Sequence, residues 1–503
     1  MARIQANLAW ETLLDLSGTR PGPLHMRLAA AIRTAIRDGR LPVGAALPPS
    51  RMLAADLSVS RWTVTEAYGQ LITEGYLTGK TGSATRVTWS PRPGDEPRAA
   101  PRAEPARRHP AQDVRATTAA GFDLASCTPD LRGFPRRQWV EAIRAAAETA
   151  PFDRLSYSEP GGLPELRAVL AEHLNRSRGA AAGPDTICVV MGAGPGMSRL
   201  CRALLADGHT AIGMENPGSP RLFQAAQEAG LDLVPLPVDG DGLVVDALDG
   251  QPGLRAVCVG AARQVALGGP LALHRRPALV DWARRVDGLV IEDDYLSEFS
   301  YDHPAPPVMQ GTARDRVALL GSMSQALGPT VGIGWVVAPR RWVPAVRAEH
   351  EIQLLPPALN QLALVQLMQS GAYDRHLRAS RQRYRARRNV LVDSLGRHLP
   401  GYRVRGAEAG MQLLLELPPG TDETTILRAA ARRGIELWNL YEMRLKPEPS
   451  DPALLIGYGN IKDTAIDGAI AALAEVIRTC GGTDDFRRAG ASDQHDRSED
   501  SHP

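Results

Sequence analysis

The sequence predicts an α/β protein in two parts. A winged helix-turn-helix comes first, then a mixed, mostly parallel sheet with flanking helices and a smaller α+β C-terminal subdomain. Three features carry this expectation. Apolar residues recur at helical spacing between Leu24 and Leu71, broken by two turns and followed by a glycine-rich hairpin. From about residue 121, strand-like and helix-like patterns alternate, as parallel strands joined by crossover helices require. Between them, residues 89–120 are rich in proline, alanine and arginine and nearly free of large apolar side chains, so they read as an extended linker. The expected divisions are therefore 1–88, 89–120, 121–480 and a polar tail over 481–503, which has no periodicity and reads as disordered.

In the first part, Leu24, Leu28, Ile32, Ala35 and Ile36 form one helical stripe that stops at Asp38-Gly39. The stretch LPVGAALPPSR forbids a helix until Ser50, which is expected to cap a short second helix over Arg51 to Leu57. After the turn Ser58-Val59-Ser60, a third helix buries Val64, Ala67, Tyr68 and Leu71 and leaves Arg61, Thr63 and Thr65 on its other face. EGYLTGKTGSATRV then reads as a wing of two short strands. The start of the third helix can enter a major groove with Arg61 and small hydroxyls foremost, while Arg51 and Lys80 meet phosphates. A formal net charge of +2 over 503 residues means that such a surface must be a local patch.

In the second part, strands are expected at Ile187 to Met191, Ala211 to Met214, Ala256 to Gly260, Gly288 to Ile291, Val317 to Leu320 and Trp335 to Ala338. A long helical stretch, roughly Ala358 to Leu395, leads to strands near Met411 to Leu417 and Leu454 to Tyr458, and to a last helix from Thr464 to Arg478. Five cysteines (Cys127, Cys188, Cys201, Cys258, Cys480) lack metal-ligand spacing and fit reduced thiols, so no metal site is expected. The N-terminus carries no export pattern and no apolar run is long enough to cross a bilayer. A cytoplasmic location without a membrane partner is expected.

Two sets of motifs resemble one family. From Pro23 to Val87, GRLPVGAALPPSRMLAADLSVSR, TVTEAYGQL and EGYLTGKTGS resemble the GntR-type DNA-binding module. FPRRQW, YSEPGGLPELR, NPGSP, PVDGDGL, EDDYLSEF, GSMSQ and GYGN then follow in the order seen in the MocR-type branch. In that branch the module is fused to a fold-type I aminotransferase-like domain. The resemblance implies DNA contacts at Arg51, Ser60, Arg61, Thr63 and Gly82, with Trp62 departing from a usual small polar residue. It implies double-stranded operator DNA as partner and a head-to-tail homodimer, whose two modules suit a repeated or palindromic site.

The same resemblance locates a pyridoxal-phosphate pocket and shows how far this chain departs from it. Asp293 matches the ring-nitrogen carboxylate and Tyr295 the ring-oxygen partner, whereas Gln325 stands where the Schiff-base lysine belongs and Gly332 where the phosphate-binding arginine belongs. MGAGPG at 191–196 keeps backbone amides at a helix start but loses its side-chain donors, and Pro195 removes one amide. Arg263 replaces a histidine, Ser219 an aromatic residue, and Leu455 an arginine that would hold a ligand carboxylate. The chain has only three lysines, Lys80, Lys446 and Lys462, none on the cofactor-facing strand end.

The expected function is therefore a DNA-binding regulator, not an enzyme, with no catalytic residues. Its degenerate pocket (Gly192, Ala193, Gly194, Arg263, Asp293, Tyr295, Ser322, Ser324, Gln325) takes an unknown small-molecule effector, and pyridoxal phosphate only non-covalently. The alternatives are a pyridoxal-phosphate-dependent aminotransferase, a regulator that binds the cofactor non-covalently, and a constitutive repressor whose large domain only dimerises.

Overall fold

The computed structural model describes residues 10, 14, 22–79, 84–89, 121–126, 128–156, 159–348, 355–446 and 452–480. Lys80, Gly82, Cys127, the expected linker beyond Trp89 and the expected tail over 481–503 lie outside them. The chain divides into two compact units, residues 1–108 and 109–503.

In the first unit, helix α1 (Leu24–Arg37) packs on α3 (Arg61–Thr73), with α2 (Ser50–Asp56) between them in sequence. Strands β1 (Leu77–Thr78) and β2 (Arg86–Val87) form the antiparallel wing. Leu28, Ile32, Leu53, Val64, Ala67 and Leu71 make its core, as the 3.6-residue spacing requires. Two expectations need correction. Ser50 is the first helical residue of α2, not its cap; Pro49 precedes it in extended conformation and no side chain caps the helix. Thr63 is buried, because the cap of α3 draws it inward.

The second unit is built on one sheet in the order β4-β11-β10-β9-β8-β5-β6-β7. Its strands are β4 (Ile187–Val190), β5 (Ala211–Asn216), β6 (Asp232–Asp239), β7 (Gly242–Leu243), β8 (Ala256–Val259), β9 (Leu289–Asp293), β10 (Val317–Ser322) and β11 (Gly334–Val337). β10, β9, β8, β5 and β6 run parallel, while β11 is antiparallel to both β10 and β4. The carboxyl ends of β4, β10, β9, β8 and β5 therefore lie along one edge, the usual place for a ligand crevice in such sheets. Helices α4 (Arg136–Thr149), α5 (Pro164–Arg178), α6 (Ala193–Ala206), α7 (Pro220–Ala229) and α8 (Arg275–Arg285) flank it. Leu200, Leu222 and Phe223 of α6 and α7 pack with Ile291 and Leu320 on one face, and Leu279 and Trp282 of α8 pack with Val290 and Val317 on the other.

A short α9 (Val343–Val346) leads to α10 (Ala358–Gln369) and α11 (Ala372–His398). The expected long helical stretch is thus made of two helices, with a break at Ser370-Gly371, where Gly371 takes φ +68°. The subdomain sheet β12-β13-β16-β15 (Val404–Arg405, Gln412–Glu416, Ala453–Gly457, Trp438–Asn439) is antiparallel throughout. Helices α12 (Glu423–Arg432) and α13 (Ile466–Cys480) pack together beside it. A further short pair ties the start of this unit to the subdomain, with β3 (Phe122–Asp123) parallel to β14 (Ile435–Glu436). Among the described residues no helix is long and apolar enough to cross a membrane, no group of acidic, histidine or cysteine side chains could hold a metal, and Cys188, Cys201, Cys258 and Cys480 are free thiols.

Candidate functional site

At the start of α3, the Ser60 hydroxyl accepts the Thr63 backbone N–H at 3.1 Å and lies 2.8 Å from the Thr63 hydroxyl. That pair satisfies an otherwise orphaned helix-start amide and fixes the angle at which the helix leaves the turn. Arg61 and Thr65 remain exposed, and Arg51 projects from the first turn of α2. Neither the Arg51 nor the Arg61 side chain has a hydrogen bond or ion pair among the described residues. Other arginines of the module are committed inside it: Arg33 forks onto the Glu74 carboxylate, and Arg37 donates to the Tyr76 hydroxyl at 2.8 Å. Trp62 is 63 % exposed, and its ring meets His25 edge-on at 5.4 Å.

The second candidate site sits at the carboxyl edge of the large sheet, in two neighbouring clusters. In the first, Gly192 caps α6 with φ +124°, a conformation that favours glycine. A Cβ at Gly192 would lie 3.6 Å from Ser322 Oγ and 3.9 Å from Ser324 Oγ, so both hydroxyls stand at the start of α6 beside Ala193 and Gly194. The Ser322 hydroxyl donates to Ser324 Oγ at 2.9 Å and accepts the Ser324 backbone N–H. Gly332 faces the Met191 methyl group instead of presenting a cation. Gln325 follows on Ser324 and is half-buried, while Lys446 and Lys462 are both exposed to solvent.

In the second cluster, Asp293 and Arg263 line one small cleft together with Glu215, Cys258, Phe223 and Val265. β8 separates the two acids, since Met214 pairs with Cys258 and Cys258 with Ile291. Arg263 is buried, and its guanidinium is spent on backbone: Nη1 donates to Gly268 O at 3.0 Å and Nη2 to Gly406 O and Gln412 O, each at 3.1 Å. It therefore joins the loop after β8 to the subdomain. Tyr295 packs between the main core and the apolar cluster around Leu455. The loop bearing Asp293 and Tyr295 is clamped by Asp294, whose buried carboxylate accepts from Arg178 Nη2 at 2.9 Å and Nε at 3.0 Å. Glu215, Cys258 and the Asp294 clamp were not anticipated from sequence.

Residues 123–435 match the family model of aminotransferase class I and II, and residues 24–87 that of bacterial regulatory proteins, gntR family. The HTH-type pyridoxine biosynthesis transcriptional regulator PdxR of Corynebacterium glutamicum is 31% identical over 467 residues, covering 92% of this chain and 98% of its own length. The probable rhizopine catabolism regulatory protein MocR of Rhizobium meliloti is 31% identical over 449 residues, covering 87% and 90%. The chain belongs to the MocR-type GntR regulators. An archaeal alanine:glyoxylate aminotransferase superposes with TM-score 0.68 at 23% identity, covering 73% of this chain and 93% of its own, a likeness of fold alone.

In this MocR-type regulator the pocket acids hold their protons unusually well. Burial pushes Glu215 up to about 8, with the Gly260 N–H opposing and Asp293 adding to the shift. Burial, with Asp294 adding, raises Asp293 to about 7, and burial raises Glu292 to about 7 although it accepts backbone N–H groups from Met309 and Gln310. An acid whose pKa is higher folded than unfolded stabilises most below its unfolded value, about 4.3 for glutamate, and that contribution is lost as pH rises through the folded value. The melting temperature is therefore expected to fall as pH rises from about 6 to about 8.5, and Glu215→Gln to flatten the slope. Calorimetry across that range checks it; an unchanged slope in the variant would remove Glu215 from the account.

Proposed function

We propose that this regulator binds operator DNA through the exposed start of α3 and uses its aminotransferase-like domain as an effector sensor and dimer scaffold, without covalent pyridoxal-phosphate chemistry. The observation that carries the reading is the side chain at the lysine position. An imine needs an amine within bonding distance of the aldehyde, and Gln325 offers only an amide. Lys446 and Lys462 are exposed to solvent, although the neighbouring Leu445 donates its N–H to Asn216 Oδ1 at the carboxyl end of β5. The phosphate end is weakened in parallel, with Gly332 opposite Met191 and Pro195 in the first turn of α6. Effector binding then acts by its differential affinity for two arrangements of the DNA modules, in a cytoplasmic homodimer that is head-to-tail as the family resemblance implies.

A second reading is supported by the cluster at the start of α6. Backbone amides of Ala193 and Gly194 with the hydroxyls of Ser322 and Ser324 suit a phosphate held without a covalent bond, and Asp293 suits a ring nitrogen. The two readings share one test. Purified protein mixed with pyridoxal phosphate is expected to show no aldimine absorption band and to carry no label after borohydride reduction. A trapped adduct on this chain would overturn the proposal, and cofactor that shifts the melting temperature yet dialyses away would favour the second reading.

A further inference from the structure

We propose that the cleft at the amino ends of β4 and β10 binds a small phosphate monoester with a non-aromatic body, whose phosphate accepts from Arg314 and Arg340. The site goes beyond the sensor reading, because it is a second ligand site, separate from the cofactor edge. β4 begins at Ile187 and β10 at Val317, while the antiparallel β11 ends at Val337. Residues 181–186, 314–316 and 338–341 therefore meet at the edge of the sheet opposite Ser322 and Asp293, around a cleft of about 790 Å³. That lies within the range of roughly 300–1,000 Å³ in which small molecules bind.

One wall of the cleft is braced by two side-chain amides. Buried Gln310 accepts the Ala181 N–H on Oε1 at 2.9 Å, and Asn175 accepts the Ala182 N–H at 2.8 Å while donating to Ala182 O at 3.0 Å. The apolar lining is small, with Ala181, Ala182, Ala338 and Pro339. No aromatic side chain is among the lining residues, so neither a nucleobase nor a pyridine ring finds a stacking partner.

Four arginines line the cleft against two aspartates. Two of the four are committed: Arg316 donates to Asp287 Oδ1, and Arg341 donates to the same oxygen at 2.9 Å and to Asp287 O at 3.1 Å, with its guanidinium over the Trp342 ring. The other two are available. Arg314 is exposed and has no hydrogen bond or ion pair among the described residues. The Arg340 side chain, 85% exposed, meets Asp185 through Nη2 at 2.9 Å and keeps its other donors free among those residues. Asp315 lies 3.7 Å from Arg316 Nε, so each lining aspartate already has a cation beside it and the cleft presents uncompensated positive charge.

A phosphate monoester approaches a dianion at neutral pH and offers three oxygens to guanidinium forks. A monocarboxylate brings one charge and two oxygens, and a cation would be repelled. The small apolar lining suits a short aliphatic chain behind the phosphate.

Titration calorimetry of the full-length protein with glycerol 3-phosphate at constant ionic strength tests this, with glycerol and succinate as comparisons. Saturable binding of the ester is expected, about tenfold or more weaker in the double variant Arg314→Ala with Arg340→Ala. It should be unchanged in Arg137→Ala with Arg144→Ala, which removes two charges from the exposed side of α4, and glycerol should not bind. Both cleft arginines are at the surface, and melting curves establish that each variant is folded. Glycerol 3-phosphate ignored by the wild type, or bound equally by the folded cleft variant, would overturn the proposal, as would tighter binding of succinate. Binding lost in Ser322→Ala but kept in the cleft variant would place the phosphate at the start of α6 and overturn it too.

Discussion

Asp294→Ala is expected to destabilise the aminotransferase-like domain by about 3–5 kcal/mol, because it removes one half of a buried ion pair and strands the other. The side chains of Arg178 and Asp294 are 7% and 3% exposed, and two of the arginine's donors reach the carboxylate. With the acid gone, the Arg178 side chain keeps, among the described residues, its hydrogen bond to Pro306 O at 3.2 Å. Glu298, pushed up to about 7 by burial and then by Asp294, ionises more readily once that neighbour is neutral, and offsets part of the loss. The double variant Arg178→Met with Asp294→Leu should recover most of the stability, since an apolar pair carries no desolvation penalty. Calorimetric melting of the two single variants and the double decides it. If Asp294→Ala melted with the wild type, the clamp on the loop bearing Asp293 and Tyr295 would be energetically idle.

The two local patterns in the DNA-binding module were legible because sequence neighbours decide them. A 3.6-residue stripe buries Val64, Ala67, Tyr68 and Leu71 whatever surrounds the helix, and Ser60 sits one residue before its start. Thr63 lies on the buried side instead of the expected exposed face because cap geometry, not periodicity, turns its hydroxyl toward Ser60. In the large domain the sequence pattern does not show β6: Pro235 and Pro237 break the usual strand signature, and the strand tolerates them near the sheet margin, with two-residue β7 beyond it.

The pocket was half legible for a related reason. Asp293 and Tyr295 belong to a recognisable motif, but the use of Arg263 depends on Gly406 and Gln412, which only the folded chain brings near. Glu215 has a trace in the sequence, an acid closing the apolar run from Ala211 to Met214 much as Glu292 and Asp293 close the run from Leu289 to Ile291. What no linear reading supplies is the β5-β8-β9 order that turns the two acids toward one cleft.

Arg61→Ala is expected to weaken operator binding by about 1–3 kcal/mol and to relax sequence preference at the base pair it reads. Its guanidinium is exposed at the first residue of α3, without a partner among the described residues, so no internal bond must be broken before it meets a base edge. Lys80, on the expected wing and outside the described residues, serves as the contrast. Lys80→Ala should weaken binding on all sequences alike and lower the slope of affinity against salt by about one, because it removes a phosphate contact and the counterion that contact releases. Arg51→Ala should behave like Lys80→Ala if the first turn of α2 meets backbone phosphates. Binding isotherms on operator and scrambled duplexes at several salt concentrations separate the two behaviours. Equal loss on both duplexes for Arg61→Ala would make it a phosphate contact and move base reading elsewhere on α3, where Trp62 and Thr65 are the exposed neighbours.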